Sequence, residues 1–188
     1  MRVITGRFKG RAIGTVDDHA VRPATDRIRV TIFDMLANRL ALRGAWVLDL
    51  FAGSGSLGIE ALSRGAARVT FVEQGREAMA ALEQNLRSLG CLEEAELVEQ
   101  DALAYLNAAR GPFHLVFADP PYGFPETPEL PRIIVGHGLV RPGGYLLIEH
   151  TREVRFADAD LYATGPEKKF GRTLITFFQP TLPGTPPL

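Results

Sequence analysis

The chain has 188 residues, of which 46% are hydrophobic and 23% are charged. These values are typical of one globular domain and exclude a wholly disordered or fibrous chain. No apolar run approaches the roughly 20 residues that span a bilayer, and the single cysteine, Cys91, excludes an internal disulfide framework and a multi-cysteine zinc site. The sequence therefore predicts a soluble, cytoplasmic protein, which we expect to be monomeric.

Charge is distributed unevenly along the chain. Residues 1–43 carry nine basic and four acidic residues, whereas residues 44–188 carry twelve basic and eighteen acidic ones. A basic segment on an acidic body favours a polyanionic partner such as nucleic acid, although an uneven solvated surface would give the same pattern. We divide the chain into a basic arm (1–43), a core (44–179) and a proline-rich tail (180–188).

The arm is predicted to contain two short strands, at 2–5 and 11–13, around a turn. Apolar residues at helical spacing predict a helix that begins at residue 25 or 26 and ends near residue 40. Arg22 and Pro23 would form a stiff entry to it.

From residue 45 onward, predicted strands alternate with predicted helices. The strands are expected at 45–50, 68–73, 96–99, 112–118, 144–149, 155–162 and 173–179, and the helices at 56–64, 76–89, 102–109 and 127–136. This alternation predicts an α/β fold with a doubly wound, mostly parallel, seven-stranded Rossmann-like sheet. Such sheets bind ligands at the carboxyl ends of their strands. The tail is expected to be irregular, since four of its nine residues are proline.

A glycine-rich stretch, 53–58, follows the first core strand. It is a literal GxGxxG, which is typical of dinucleotide-binding proteins, and Glu73 at the end of the next strand is placed to hold a ribose. Asp49, at the entrance, would repel a pyrophosphate but attract the sulfonium and ammonium groups of S-adenosylmethionine. Asp101 follows the third strand, where an acid can accept a hydrogen bond from the amino group of adenine. One cofactor, S-adenosylmethionine, best explains the three acids; an NAD-dependent oxidoreductase is the alternative.

The segment Asp119-Pro120-Pro121-Tyr122 directly follows the fourth core strand. Its prolines fix the backbone and remove two N–H donors, which leaves the Asp119 carboxylate and the Pro120 carbonyl as acceptors for the two hydrogens of an exocyclic amine. Accepting both hydrogens favours a pyramidal nitrogen whose lone pair can attack a methyl group. Tyr122 offers a face on which an extruded base can stack. The structural alternative is a rigid turn with a buried tyrosine.

Together these motifs resemble the class I S-adenosylmethionine-dependent methyltransferases that act on exocyclic amines. Residues 2–11, 22–27 and 32–36 of the arm, with 47–55 and 58–65 of the core, are similar to the RsmD family of bacterial 16S rRNA guanine-N2 methyltransferases. The resemblance covers 1–179. It implies methyl transfer from S-adenosylmethionine to a guanine N2 amine in 16S rRNA, within an assembled or partly assembled small ribosomal subunit, without metal or membrane.

The resemblance also implies three sets of site residues. The catalytic set is Asp119, Pro120 and Tyr122. The cofactor-binding set is Asp49, Phe51, Gly53, Gly55, Glu73, Gln74, Asp101, Ala102 and Asp119. The substrate-binding set is Arg7, Arg11, Arg22, Thr25, Arg27 and Tyr122. A looser match places Lys168, Phe170 and Gly171 on the same rim.

Three other hypotheses remain open at this stage. The amine could belong to another RNA or to adenine in DNA, although there is no room around Asp49 and Asp119 for a separate target-recognition domain. Enzymes that methylate glutamine side chains carry a related turn, but typically with Asn where this chain has Asp119. The chain could also be an RNA-binding module on an inert scaffold.

Overall fold

The computed structural model describes residues 1–15 and 23–181, and of residues 23–25 only the backbone. The helices are α1 (Pro23–Ala37), α2 (Ser56–Ser63), α3 (Arg76–Leu89), α4 (Ala102–Ala108) and α5 (Leu130–Gly136). The strands are β1 (Trp46–Leu50), β2 (Arg68–Glu73), β3 (Ala95–Glu99), β4 (Phe113–Ala118), β5 (Val140–Thr151), β6 (Tyr162–Phe170) and β7 (Thr173–Pro180). Short 3₁₀ turns, Leu92–Glu94 and Thr127–Glu129, precede β3 and α5.

The seven strands form one sheet in the order β3-β2-β1-β4-β5-β7-β6. Strands β1 to β5 are parallel, and β7 runs antiparallel to both β5 and β6. The predicted doubly wound, mostly parallel sheet is therefore confirmed. The strand order reverses between β1 and β4, so the carboxyl ends of these two strands flank the crevice where such sheets bind ligands.

Both faces of the sheet are covered, which is why its central strands are almost continuously apolar. Val47 and Leu48 of β1, on opposite faces, are both fully buried. One face packs against the arm, α1, α2 and α3; in that layer Phe33 of α1 lies 5.8 Å, centroid to centroid, from Phe117 of β4. The other face packs against α4 and α5. The arm thus shares a hydrophobic core with the sheet.

A buried carboxylate attaches the arm to α2. Glu60 is fully buried, and its carboxylate accepts hydrogen bonds from the backbone N–H groups of Ile4 (2.8 Å) and Thr5 (3.0 Å). It also accepts one from the guanidinium of Arg64 at 2.8 Å. The arm is therefore held by directed bonds as well as by apolar burial.

The structure confirms the bounds of β2 and α3, and most other core elements agree to within a few residues. The prediction of two strands in the arm is wrong, because residues 2 and 12 form only an isolated bridge. Helix α1 begins at Pro23, earlier than predicted, since proline is favoured in a first helical turn. It also ends earlier, at Ala37.

The strand predicted at 155–162 is also wrong, and β6 lies at Tyr162–Phe170 instead. Most residues of 155–162 are exposed, and Phe156 packs on Phe178 from outside the sheet. The polar sequence of β6 did not predict a strand, but it suits a sheet edge, where charged residues oppose aggregation. Residues 182–188 of the predicted irregular tail lie outside the described residues. In the part that is described, no helix is long and apolar enough to cross a membrane.

Candidate active site

The chain leaves β1 through a strained residue. Phe51 has a φ of 59°, in the left-handed region that non-glycine residues rarely adopt, and such a conformation costs on the order of 1–3 kcal/mol. Its ring packs edge-on against Phe124 at 5.2 Å, and the backbone of the following residue, Ala52, donates to the Val72 carbonyl of β2 at 3.0 Å. The strain lies at a ligand-facing rim, as is common for functional sites.

The three glycines of 53–58 have different roles. A Cβ on Gly55 would lie 2.2 Å from Leu82 Cδ1, and one on Gly58 would lie 2.2 Å from Phe71 Cε1. These two glycines therefore let α2 pack closely on the sheet and α3. Gly53, with a φ of +54°, has open space where a Cβ would stand, so this is the glycine whose backbone is open to a ligand.

Glu73, at the end of β2, holds this loop. One carboxylate oxygen accepts from the N–H of Gly53 at 2.9 Å, and the other accepts from the N–H of Gly75 at 2.7 Å. The side chain remains partly exposed. Since each carboxylate oxygen has two acceptor sites, Glu73 can still accept further hydrogen bonds from a ligand.

Asp49 is 2% exposed, and its carboxylate accepts from the N–H of Gly58 at 2.9 Å. Burial raises its pKa to about 8; the Gly58 hydrogen bond partly opposes this shift, and the charges of Asp119 and Glu73 add to it. Most molecules therefore carry a proton on Asp49 at neutral pH. A cation bound nearby would favour the ionised form.

A first cavity of about 250 Å³ opens at the carboxyl ends of β1, β2, β3 and β4. Its lining includes five predicted cofactor residues, Phe51, Glu73, Gln74, Ala102 and Asp119, and adds Val72, Gln100 and Pro121. Asp49, Gly53, Gly55 and Asp101 are not in this lining. The Asp101 carboxylate instead caps α4, accepting from the N–H of Ala104 at 2.9 Å. Gln100, one residue earlier, lines the cavity and was missed by sequence reasoning.

A second cavity of about 240 Å³ lies on the other side of the Asp-Pro-Pro-Tyr turn (residues 119–122). Its lining includes Pro120, Pro121 and Tyr122 of the turn and Glu149 near the carboxyl end of β5. Pro121 lines both cavities. Tyr122 is 69% exposed, and its hydroxyl pairs with that of Thr173 at 2.9 Å. The tyrosine is thus not buried, which contradicts the structural alternative and leaves the ring free to stack.

Two carboxylates, those of Asp119 and Glu149, lie beside the turn. Within the described residues, neither accepts a hydrogen bond or forms an ion pair. Desolvation by the surrounding groups raises the pKa of Asp119, although the residue keeps an exposed surface, and burial together with the charge of Asp119 raises the pKa of Glu149. Glu149 was missed by sequence reasoning, although it ends a predicted strand, which is the signal that identified Glu73.

Of the predicted substrate-binding residues, two bind within the protein. The Arg7 guanidinium pairs with Glu94 and lies over the Phe8 ring, 4.4 Å from its centroid. The Arg11 guanidinium donates to the Ser88 carbonyl at 2.7 Å.

Apart from Tyr122, the other predicted substrate-binding residues have sequence positions in or just before α1. Arg27 is exposed. Arg22 and the side chain of Thr25 lie outside the described residues. The loosely matched segment ending at Gly171 leads into β7 beside Thr173, the hydrogen-bond partner of Tyr122. No group of three metal-ligating side chains occurs in the described ranges.

The strand order, with a glycine loop after β1 and the Asp-Pro-Pro-Tyr turn after β4, defines a methyltransferase fold. Its likeness to the solved magnesium protoporphyrin IX methyltransferase ChlM of Synechocystis PCC 6803, which has S-adenosylmethionine bound, is one of fold alone: 15% identity, a TM-score of 0.64, and 84% and 80% of the two chains covered.

Relatives with higher sequence identity show which family the chain belongs to. The family described as conserved hypothetical protein 95 matches residues 1–179. The ribosomal RNA small subunit methyltransferase D of Haemophilus influenzae is 31% identical over 182 residues, which is 95% of this chain and 93% of that one. A solved candidate methyltransferase of Escherichia coli, yhhF, is 32% identical with a TM-score of 0.83, over 96% and 97% of the two chains. The chain therefore belongs to this family, the RsmD family of methyltransferases.

Proposed function

We propose that the protein transfers a methyl group from S-adenosylmethionine to the N2 amine of a guanine in small-subunit rRNA. The observation that carries this proposal is the placement of the Asp-Pro-Pro-Tyr turn between two cavities. One cavity suits the cofactor and the other suits a base, so the Asp119 carboxylate and the Pro120 carbonyl would face the amine where the two meet. The name of the Haemophilus influenzae relative supports the rRNA substrate.

The residues of the first cavity fit the cofactor. Glu73 can accept from a ribose diol, and Gln100 and Ala102 border the region proposed for adenine. Bound S-adenosylmethionine would supply an electrophilic methyl group. Asp119 and the Pro120 carbonyl would accept the amine hydrogens and stabilise positive charge as it develops on nitrogen. The exposed ring of Tyr122 would hold the extruded base by stacking, which contributes about 1–3 kcal/mol.

Methylation assays with labelled S-adenosylmethionine test the function directly. Small-subunit rRNA, partly assembled small subunits and adenine-containing duplex DNA are offered in parallel, and the product nucleoside is identified by mass spectrometry. We expect N2-methylguanosine from rRNA or subunits. Methylated adenine, or no transfer to any substrate, would overturn the proposal, and binding of NAD in place of S-adenosylmethionine in calorimetry would favour the oxidoreductase alternative.

Replacing Glu73 with alanine should weaken cofactor binding. The loss of a charged acceptor costs about 1.5–3 kcal/mol, so the dissociation constant measured by calorimetry should rise about 10- to 150-fold. Glu99→Ala is the matched control, because Glu99 ends the neighbouring strand β3 and does not line the first cavity. Equal affinities for the two variants and the parent would remove Glu73 from the cofactor site.

Cofactor binding should release protons near neutral pH. The pKa of Asp49 is about 8 in the free protein, so the carboxyl is mostly protonated at pH 7. A cationic ligand stabilises its ionised form and lowers that pKa, which releases protons between the lowered pKa and about 8. Calorimetry in buffers of different ionisation enthalpy measures this release. The effect should diminish in Asp49→Asn; the same buffer dependence in both proteins would exclude Asp49 as its source.

Charge reversal at Arg27 should weaken rRNA binding and reduce its salt dependence. Each lost phosphate contact lowers the log–log salt slope by about 0.7–0.9. The matched control is Arg110→Glu, which makes the same charge reversal in the exposed loop before β4. This loop is at the amino end of the strand, whereas the Asp-Pro-Pro-Tyr turn is at its carboxyl end. If the two variants bind rRNA alike over a salt series, Arg27 does not contact the RNA.

A further inference from the structure

Glu149 lines the second cavity without a hydrogen-bond partner among the described residues. It is half-buried two residues before the end of β5, in the same cavity lining as the Asp-Pro-Pro-Tyr turn, and no described residue donates a hydrogen bond to its carboxylate. The residue keeps contact with solvent, so the second cavity presents an acceptor that a ligand can take over from water.

The other polar side chains around Glu149 are already engaged or lie farther out. Both ring nitrogens of the adjacent His150 are paired, one with the Thr151 carbonyl at 2.9 Å and the other with the Thr176 hydroxyl at 2.8 Å. Glu153 is exposed at the rim of the cavity. Asp119 is near enough for its charge to act on Glu149. Glu149 therefore lines the second cavity, and Asp119, which lines the first cavity, is its neighbour across β4 and β5, since Ala118 pairs with Ile148.

We propose that Glu149 reads the Watson–Crick edge of the target base and makes the site specific for guanine. In this arrangement its carboxylate accepts from guanine N1–H, while Asp119 and the Pro120 carbonyl accept from the N2 amine. This inference rests on the proposed function, since it concerns the same target base.

The donor pattern of the bases supports guanine over adenine. The Watson–Crick edge of guanine carries three hydrogens, one on N1 and two on N2, and an ionised carboxylate only accepts. The pKa of Glu149 is raised to about 8 by burial and by the charge of Asp119, so the match to guanine is strongest above that pH, where the rates are compared. Adenine has a lone pair on N1, which would face the Glu149 carboxylate without a hydrogen between them. A second acidic acceptor beside the amine thus matches guanine and repels adenine. The discrimination is strong because adenine would leave the Glu149 carboxylate without a hydrogen-bond donor.

A base analogue isolates this contact. 2-Aminopurine keeps the N2 amine but has a lone pair in place of N1–H. Small subunits would be reconstituted with 16S rRNA, ligated to carry either guanosine or 2-aminopurine riboside at the methylated position, and single-turnover rates would be compared for the parent and Glu149→Gln. Glutamine keeps the shape and can donate to N1 of the analogue. Glu153→Gln is the matched control at the rim of the same cavity.

The parent should prefer guanine over 2-aminopurine by about 10- to 100-fold, the range for one well-made base contact. In Glu149→Gln that preference should fall at least about tenfold, whereas Glu153→Gln should keep it. Cofactor affinity and melting temperature, measured on each variant, establish that the site is intact. A purely structural role for Glu149 would lower both rates together and leave their ratio unchanged.

Separate results would overturn this inference and the proposed function. If the parent methylates guanine N2 but does not discriminate against 2-aminopurine, the assignment of Glu149 is wrong and the function stands. The same holds if Glu149→Gln keeps the parental preference. If Glu149→Gln is too slow to measure, the ratio of the parental rates with guanine and 2-aminopurine decides whether the assignment of Glu149 stands. A parent that does not methylate guanine in any substrate overturns the proposed function and this inference with it.

Discussion

Asp119→Ala should transfer methyl groups at least about 100-fold more slowly than the parent, the usual scale for one preorganised electrostatic contact. The target nitrogen gains positive charge as it attacks, so a carboxylate beside it stabilises the transition state more than the ground state. Asp119 accepts no hydrogen bond within the described part of the chain, which leaves its acceptor sites available to the amine. Single-turnover rates at saturating cofactor and substrate measure this effect.

Conservative variants separate charge from shape in this prediction. Asp119→Asn keeps an oxygen acceptor but not the charge, and its rate should fall between those of the parent and the alanine variant. Tyr122→Phe keeps the stacking face and loses only the bond to Thr173, so its rate should stay near that of the parent, whereas Tyr122→Ala should impair substrate binding. Because Asp119 also lines the first cavity, cofactor affinity is measured for every variant. Parental rates in Asp119→Ala would mean that the turn is only structural.

The structure also predicts a change in titration for these variants. The charge of Asp119 raises the pKa of Glu149, so removing that charge should lower the Glu149 pKa. Carbon-detected magnetic resonance of the glutamate carboxyl groups, with Glu149→Gln for assignment, measures this shift. An unchanged Glu149 titration in Asp119→Asn would show that the two carboxylates are not coupled.

Sequence reasoning succeeded where local pattern and burial agree. The bounds of β2 and α3 were predicted correctly because a buried strand and an amphipathic helix show their periodicities within a few residues. It failed for β6, whose polar sequence forms a strand only because β7 offers an edge to pair with. The prediction of two strands in the arm failed for a related reason, since the conformation of the arm depends on contacts with Glu60, about 55 residues away along the chain.

In the site, too, features set by a local sequence pattern could be predicted, and features set by contacts between distant residues could not. The Asp-Pro-Pro-Tyr turn is a contiguous motif, so its position after a strand could be predicted from sequence. The internal bond of Arg11 could not, because its acceptor, Ser88, lies 77 residues away. Glu149 could not be predicted without the sheet order, which places β5 beside β4 and so makes two acids of distant sequence neighbours at the Asp-Pro-Pro-Tyr turn.

The second large effect should be on stability and concerns Glu60. Alanine at this position would leave two backbone N–H groups of the arm, at Ile4 and Thr5, without their acceptor, and would also unpair Arg64. Removing one partner of a buried charged pair costs about 3–5 kcal/mol. For a chain of this size, each kcal/mol lowers the melting temperature by about 2–4 °C, so the expected loss is on the order of 6–20 °C.

Two further variants show whether that loss comes from undocking of the arm. In Gly6→Ala the Glu60 carboxylate is kept, but the new Cβ would stand 1.9 Å from the Ser63 carbonyl oxygen, and the φ of +87° disfavours a side chain; a comparable loss of stability is therefore expected. In Glu94→Ala only the exposed pair with Arg7 is removed, which should cost no more than about 1 kcal/mol. Hydrogen exchange at Ile4 and Thr5 should accelerate in the first two variants and not in the third. If Glu60→Ala melts with the parent and its arm amides stay protected, apolar burial and the hydrogen bonds from the Arg7 and Phe8 N–H groups to Ser63 hold the arm on α2 without Glu60.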